Sequence, residues 1–192
     1  MEQQDSRPQG AIGFLSVRDL SGQGLVGGYL LLNASGRPLE FHCTAPVKPS
    51  RAQQILFGPT LEPYVYGEQI GQTLIAKAAV QPLVICTDTG PALAVRDFIS
   101  VPVALVLDNS AAQGSTASAA DESSYRVDVA HAHGGKLAHF SVGANRLAVA
   151  AARDAEKSEL TERLQTLGGW DLMEPFTRIR QAIEEAHRAH RS

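Results

Sequence analysis

Two cysteines and a histidine form the first candidate for chemistry. Cys86 ends an apolar run, and His42 directly precedes Cys43. A nucleophilic cysteine needs a base within hydrogen-bond reach and a lowered pKa. Adjacent strand residues point to opposite faces, so His42 cannot serve Cys43 but could reach Cys86 if their strands pair. The pattern keeps open a small hydrolase that uses Cys86 with His42, beside the commoner fate of a free cysteine as a small buried residue.

Asp88-Thr89-Gly90 is a second candidate, because paired D-T-G loops bring together two aspartates that share a proton and activate water. The sequence has one such loop, so a second copy of the chain would have to supply the other aspartate. Pro91 follows the loop, and residues 93–99 have a helical pattern. The alternative is therefore that Asp88 or Thr89 caps a helix that has Pro91 in its first turn.

Three histidines, His131, His133 and His139, have a spacing that could bind a metal. On a strand His131 and His133 share a face, and His139 could supply a third ligand from a partner strand. Three histidines would give an open zinc site. Asp128 is the nearby carboxylate. The alternative is a set of solvated histidines at a hairpin tip. We assign no metal site, no catalytic residue and no cofactor from the sequence.

The glycines Gly22, Gly24 and Gly27 match G-x-G-x-x-G, the pattern of dinucleotide-binding loops. That loop works because pyrophosphate rests on the N-terminus of a following helix. Here the apolar residues 29–33 follow and predict a strand instead. We interpret the segment as a glycine-rich turn between strands.

Along the chain, hydrophobic patterns that are typical of strands alternate with patterns that are typical of helices. Strands are predicted at 11–17, 29–33, 39–45, 83–87, 101–108, 125–129 and 137–142. The second and third form one hairpin, the last two form another, and 83–108 reads as a short β-α-β unit. Helices are predicted from Ser50, with a capping box to Gln53, from about residue 60 to 78, from 145 to 167, and over the C-terminal stripe from Leu172 to Ala186. The fold class is α+β: a mixed sheet with the C-terminal helices packed on it.

The domain organisation follows from the breaks in composition. We expect a disordered tail at 1–10, one domain at 11–187 and a frayed tail at 188–192. The segment 109–124 has no bulky apolar residue, so we expect a mobile loop there.

Composition limits the classes of partner. The 192 residues are 44% apolar and 19% charged, with a net charge of −3 and no visible basic face, so no nucleic-acid partner is expected. No apolar run is long enough to span a bilayer, so no membrane is expected either. Two cysteines are too few for a disulfide framework, which favours the cytoplasm.

The remaining pattern favours a protein–protein interaction. Apolar residues of the helix predicted near 60–78 cover more than one face, and the surface we expect to meet a partner comprises Tyr64, Tyr66, Ile70 and Leu74. Gly67 and Gly71 lie four residues apart and could admit another backbone closely. We expect a non-catalytic interaction or assembly subunit of a cytoplasmic complex, with a protein partner or a homodimer. The small hydrolase is the alternative, and a small-ligand sensor is a third.

Overall fold

The computed structural model describes residues 10–108, 136–166 and 169–189. Seven strands form one mixed sheet in the order β3-β2-β1-β4-β5-β7-β6. Their bounds are β1 Ala11–Asp19, β2 Leu25–Leu32, β3 Pro38–Cys43, β4 Pro82–Thr87, β5 Val103–Leu107, β6 Leu137–Val142 and β7 Asn145–Ala150. The tail residues 1–9 and 190–192 and the loop predicted at 109–124 lie outside the described residues.

Helices cover both faces of this sheet. They are α1 (Arg51–Phe57), α2 (61–77), α3 (Glu156–Gln165) and α4 (Glu174–Ala189). In α2, a π-helical segment, Tyr64–Gln72, lies between the short α-helical pieces Leu61–Pro63 and Thr73–Lys77. Shorter 3₁₀ segments span Gly58–Thr60, Gly90–Asp97 and Ala151–Arg153. Every helix within the described ranges is too short or too polar to cross a lipid bilayer.

The predicted fold class is confirmed. The first hairpin joins β2 to β3 in antiparallel register, with Leu30 opposite Phe41. The β-α-β unit is present as two parallel strands, with Cys86 opposite Ala104. Its connection is a 3₁₀ helix rather than an α-helix, with Pro91 in the first turn. The eight residues of Gly90–Asp97 are enough for this tighter winding, which rises faster per residue.

The second predicted hairpin differs in part from the structure. Leu137–Val142 is a strand as predicted, but it pairs with Asn145–Ala150, and 125–129 lies outside the described residues. The prediction of helix from residue 145 is therefore wrong up to residue 150. The physical reason is that β7 lies between β5 and β6 and exchanges backbone hydrogen bonds with both, which outweighs the helix propensity of its alanines.

Each sheet face carries its own core. On one face Phe14, Leu30 and Cys86 pack with Leu160 and Leu164 of α3 and with Phe176, Ile179 and Ile183 of α4. On the other face Leu15, Leu31 and Ile85 pack with Val65, Ile70 and Leu74 of α2 and with Val95 of the 3₁₀ helix. The alternation of side chains along β1 sends Phe14 to one core and Leu15 to the other.

Glycines set the distance between sheet and helices at β2. A Cβ atom at Gly27 would lie 2.1 Å from Ile70 Cγ2 of α2, and one at Gly28 would lie 2.5 Å from Ile179 Cγ2 of α4. The close approach expected at Gly67 is confirmed, because a Cβ there would lie 2.7 Å from the backbone nitrogen of Val95. The glycines of the G-x-G-x-x-G pattern thus serve a turn and this packing.

Candidate functional site

The carboxyl ends of the parallel strands form a polar edge of the sheet. Strands β1, β4 and β5 run parallel, so their last residues reach the same edge of the sheet. In open sheets of this kind, ligands bind in the crevice outside those ends. Polar residues at this edge include Arg18 of β1, Thr87 at the end of β4, and Asp88 and Thr89 directly after it.

An ion pair occupies that edge. Arg18 Nη2 donates to Asp88 Oδ2, and the Asp88 side chain is 4% exposed. Thr89 Oγ1 donates to Asp88 Oδ1 at 3.0 Å, so both carboxylate oxygens are engaged. Neither Asp88 nor Thr89 caps the following helix through its side chain. Asp88 is thus an ion-paired carboxylate with a partner on each oxygen. This geometry gives no support to a water-activating aspartate.

Two buried polar atoms lie on the same strand, β1. Ser16 Oγ and Arg18 Nε have no hydrogen-bond partner within the described part of the chain. Ser16 is 1% exposed. Unsatisfied buried donors of this kind are uncommon, and they carry an energetic cost. Neither residue lines the cleft of about 400 Å³ beside the 3₁₀ helix Gly90–Asp97.

The structure does not bring Cys86 and His42 together. Strands β2 and β1 lie between β3 and β4, so the two residues are separated by three inter-strand steps, or about 14 Å. They also face opposite sides, since Cys86 pairs with Phe14 and His42 with Tyr29. Burial raises the pKa of the Cys86 thiol to about 12. His42 Nε2 instead lies 2.8 Å from Glu40 Oε2.

The histidine group can be placed only in part. His139 is exposed on β6, whereas His131 and His133 lie outside the described residues, as does Asp128. Within the described ranges, no three His, Cys, Asp or Glu side chains are grouped so that they could hold a metal ion.

The predicted interaction surface divides into two parts. Ile70 and Leu74 are 0% and 1% exposed, because the sheet covers them, so they cannot contact a partner. Tyr64 and Tyr66 are half-buried, and the Tyr64 ring stacks on Phe57 with centroids 4.0 Å apart. The nonpolar faces of α2 are thus used mainly within the protein's own core.

The two most exposed of the large apolar residues that the structure describes lie on α1, which the sequence did not single out. Ile55 is 65% exposed and Leu56 is 82% exposed, and α1 contributes no buried residue to either core. The signal available in the sequence was a pair of large apolar residues one turn after a capping box, but only the structure reveals that no described element covers them.

Comparisons with known proteins give little for this site. No family model matches the chain, and no curated protein does. Among solved structures, it is similar to the endonuclease V of Ciona intestinalis in complex with a 24mer DNA containing an inosine followed by a ribo-adenosine, at 12% identity and a TM-score of 0.37, over 73% of this chain and 70% of that one. It is also similar to human ENDOV, at 13% identity and a TM-score of 0.28, over 62% and 54%.

The expectation of no nucleic-acid partner is corrected by this finding. The Ciona structure contains DNA, so the exclusion made from composition is overturned and we withdraw it. The physical weakness of that exclusion is that a net charge of −3 says nothing about how the 17 basic side chains are distributed. Likeness at these TM-scores assigns no ligand or activity to this chain.

Proposed function

We propose that the chain is a non-catalytic protein-binding module that inserts α1 into an apolar groove of a partner protein. We call α1, Arg51–Phe57, the docking helix. The single observation that carries the proposal is the exposure of Ile55 and Leu56, at 65% and 82%. In helix-in-groove recognition, apolar side chains that project from a helix anchor it in a hydrophobic groove of the partner. Large apolar residues exposed together on one element are typical of interaction sites.

The docking helix is held in place although none of its residues is fully buried. At its start Ser50 Oγ accepts from the Gln53 backbone at 3.2 Å, and Gln53 Oε1 accepts from the Ser50 backbone at 2.8 Å. At its end the Phe57 ring stacks on Tyr64, which is part of α2. A helix ordered before binding loses less conformational entropy on association, which supports a role in docking.

The charges around the docking helix indicate the character of the groove. Residues 44–60 contain no aspartate or glutamate, and their only charged residues are Lys48 and Arg51, both exposed. A complementary partner would therefore place acidic groups at the rim of an apolar groove. We keep the cytoplasm as the proposed place of action, because two cysteines are too few for a disulfide framework.

A hydrolytic function has less support. The described residues offer neither a thiol–imidazole pair nor an unpaired aspartate at the strand ends, as the contacts of Cys86 and Asp88 make plain. We therefore place the binding module ahead of the hydrolase.

The test compares three forms of the protein expressed in the native host: wild type, the double variant Ile55→Gln with Leu56→Gln, and the control Phe98→Gln. Phe98 is also exposed, at 44%, but lies far along the chain from α1. Crosslinked companions are quantified for each form, and hydrogen exchange of residues 51–57 is measured with the purified companion. In parallel, fluorescence anisotropy with DNA and RNA oligonucleotides tests nucleic acid as a ligand.

The expected result is a stoichiometric companion retained by wild type and Phe98→Gln, lost by the double variant, and slowing exchange at α1. Glutamine keeps helix propensity and net charge, so the loss would report the apolar contact. A companion that all three forms retain equally would contradict the proposal. So would oligonucleotide binding that survives the double substitution when no protein companion is found.

A further inference from the structure

We propose that a cleft between the 3₁₀ helix Gly90–Asp97 and the end of β7 binds a small organic monocarboxylate with an apolar body. The cleft has a volume of about 400 Å³, within the range of small-molecule sites. It lies apart from the docking helix and from the Arg18–Asp88 edge. Its lining combines a nonpolar floor with a charged mouth.

The floor accounts for the apolar body of the ligand. Leu93 and Val103 line it, and their overall exposures are 5% and 2%. They come from the 3₁₀ helix and from β5, so the floor is fixed by the sheet and by the helix that covers it. A ring or short alkyl chain resting there would exchange water for contact with aliphatic side chains.

The mouth accounts for the carboxylate. Glu156 anchors both guanidinium groups, accepting from Arg96 Nη2 at 2.9 Å and Arg153 Nη1 at 3.1 Å. Arg153 Nη2 also donates to Asp97 Oδ1 at 2.6 Å. The Asp97 side chain is 64% exposed, against 16% for Glu156. Asp97 is therefore the partner that a competing anion can most easily displace.

Charge balance selects a single negative charge. Arg96 and Arg153 carry two positive charges, and Glu156 with Asp97 carries two negative ones. A ligand carboxylate that takes the place of Asp97 on Arg153 keeps the cluster neutral while Asp97 turns to water. A phosphate dianion would leave excess negative charge beside Glu156. An alcohol carries no charge, so it could take the place of Asp97 on Arg153 only by replacing an ion pair with a weaker neutral hydrogen bond.

The experiment follows methyl NMR signals of Leu93 and Val103 while 3-phenylpropionate is added to the intact protein, with 3-phenylpropanol as the neutral probe. Variants are Arg153→Gln, Asp97→Asn and the matched control Arg163→Gln. Arg163 also pairs with a glutamate on α3 and is 36% exposed, close to the 33% of Arg153. Thermal melting checks that each variant is folded.

We expect 3-phenylpropionate to shift these methyls with a dissociation constant of about 1 mM or below, and the alcohol to bind about tenfold more weakly. Arg153→Gln should weaken binding about tenfold, Arg163→Gln should leave it unchanged, and Asp97→Asn should tighten it, because the internal competitor is gone. Methyl signals that do not move, equal affinity for acid and alcohol, or weaker binding by Asp97→Asn would each overturn the proposal. Asp97 is exposed, so that last variant stays informative if Arg153→Gln fails to fold.

Discussion

The phenol of Tyr29 enters the core on the α2 face with its hydroxyl unpaired among the described residues. Burial, and then the charge of Glu40, hold the pKa of this hydroxyl far above its ordinary value, so it stays protonated. Removing an unsatisfied buried hydroxyl relieves a desolvation penalty while the ring keeps its contacts. We expect Tyr29→Phe to raise the free energy of unfolding by about 1 kcal/mol in urea titrations. A loss of stability would mean that the hydroxyl has a bonding partner.

Glu40 ties the edge strand β3 to the end of α2. Its carboxylate accepts from the backbone nitrogens of Ala79 at 3.1 Å and Val80 at 2.7 Å. The hydrogen bond from His42, followed by those from Ala79 and Val80, lowers the pKa of Glu40. A group whose pKa falls on folding contributes stability above its unfolded pKa, and that contribution is lost as pH falls through the folded value.

The corresponding prediction concerns Glu40→Gln. Wild-type stability should fall as pH drops from about 5 towards 3, and the variant should show a shallower fall over that window. Chemical denaturation at a series of pH values measures both slopes. Parallel slopes in the two proteins would contradict a role for the Glu40 carboxylate, whatever their difference at neutral pH.

The two thiols should differ in reactivity. Cys86 is fully buried with a pKa raised to about 12, whereas Cys43 is exposed on β3. Since the thiolate is the reactive form, iodoacetamide should modify one site per native chain, at Cys43. Mass spectrometry of the intact protein and of its peptides reads out the stoichiometry. Native-state labelling of Cys86 as fast as that of Cys43 would revive the Cys86 hydrolase.

At the scale of elements, Gly67 sets how closely α2 approaches the 3₁₀ helix. A Cβ atom would meet the Ala94 Cβ atom and the Val95 nitrogen, both at 2.7 Å, and backbone cannot turn aside as a side chain can. We expect Gly67→Ala to destabilise the protein by roughly 2–3 kcal/mol in equilibrium unfolding. The matched control is Gly169→Ala, where nothing lies within 4 Å of the added methyl. Equal stabilities would show that α2 can shift without loss.

Elements with a local cause could be predicted from the sequence. The capping box at Ser50 with Gln53, the hairpin of β2 and β3, and the apolar stripe of α4 each depend on residues within a few turns of one another. β7 was not predicted although β6 is adjacent to it in sequence, because its alanines favour a helix and its second neighbour, β5, lies far away in sequence. The π-helical segment Tyr64–Gln72 was also missed, since the two glycines indicate a close approach but not a wider turn.

The candidate site was less predictable than the fold. Cys86, His42 and Asp88 are reactive types at plausible positions, but strand order decides whether such groups meet, and strand order is a long-range property. Ile55 and Leu56 are ordinary apolar residues in a helical pattern. Their distinction is exposure, which depends on every other element of the molecule.

At the scale of the whole molecule, the two cores should unfold together. Adjacent residues of β1 serve different faces, Phe14 packing beside Phe176 and Leu15 facing α2. The sole tryptophan, Trp170, packs against the core that contains Phe14. We expect Leu15→Ala, on the far face, to shift the Trp170 fluorescence transition and the circular dichroism transition equally, by roughly 2–5 kcal/mol. Non-coincident transitions would mean that the faces melt separately.

The adjacent glycines of β2 have a consequence for redesign. Where Gly27 and Gly28 succeed each other, the sheet has the thickness of bare backbone, so the branched side chains of Ile70 and Ile179 press on it from above and below at neighbouring points. The positions of α2 and α4 relative to each other are therefore fixed by Gly27 and Gly28, which belong to neither helix. A design that transfers α2 or α4 to another scaffold would have to include both glycines. Otherwise the contacts on both faces of the strand would have to be redesigned together.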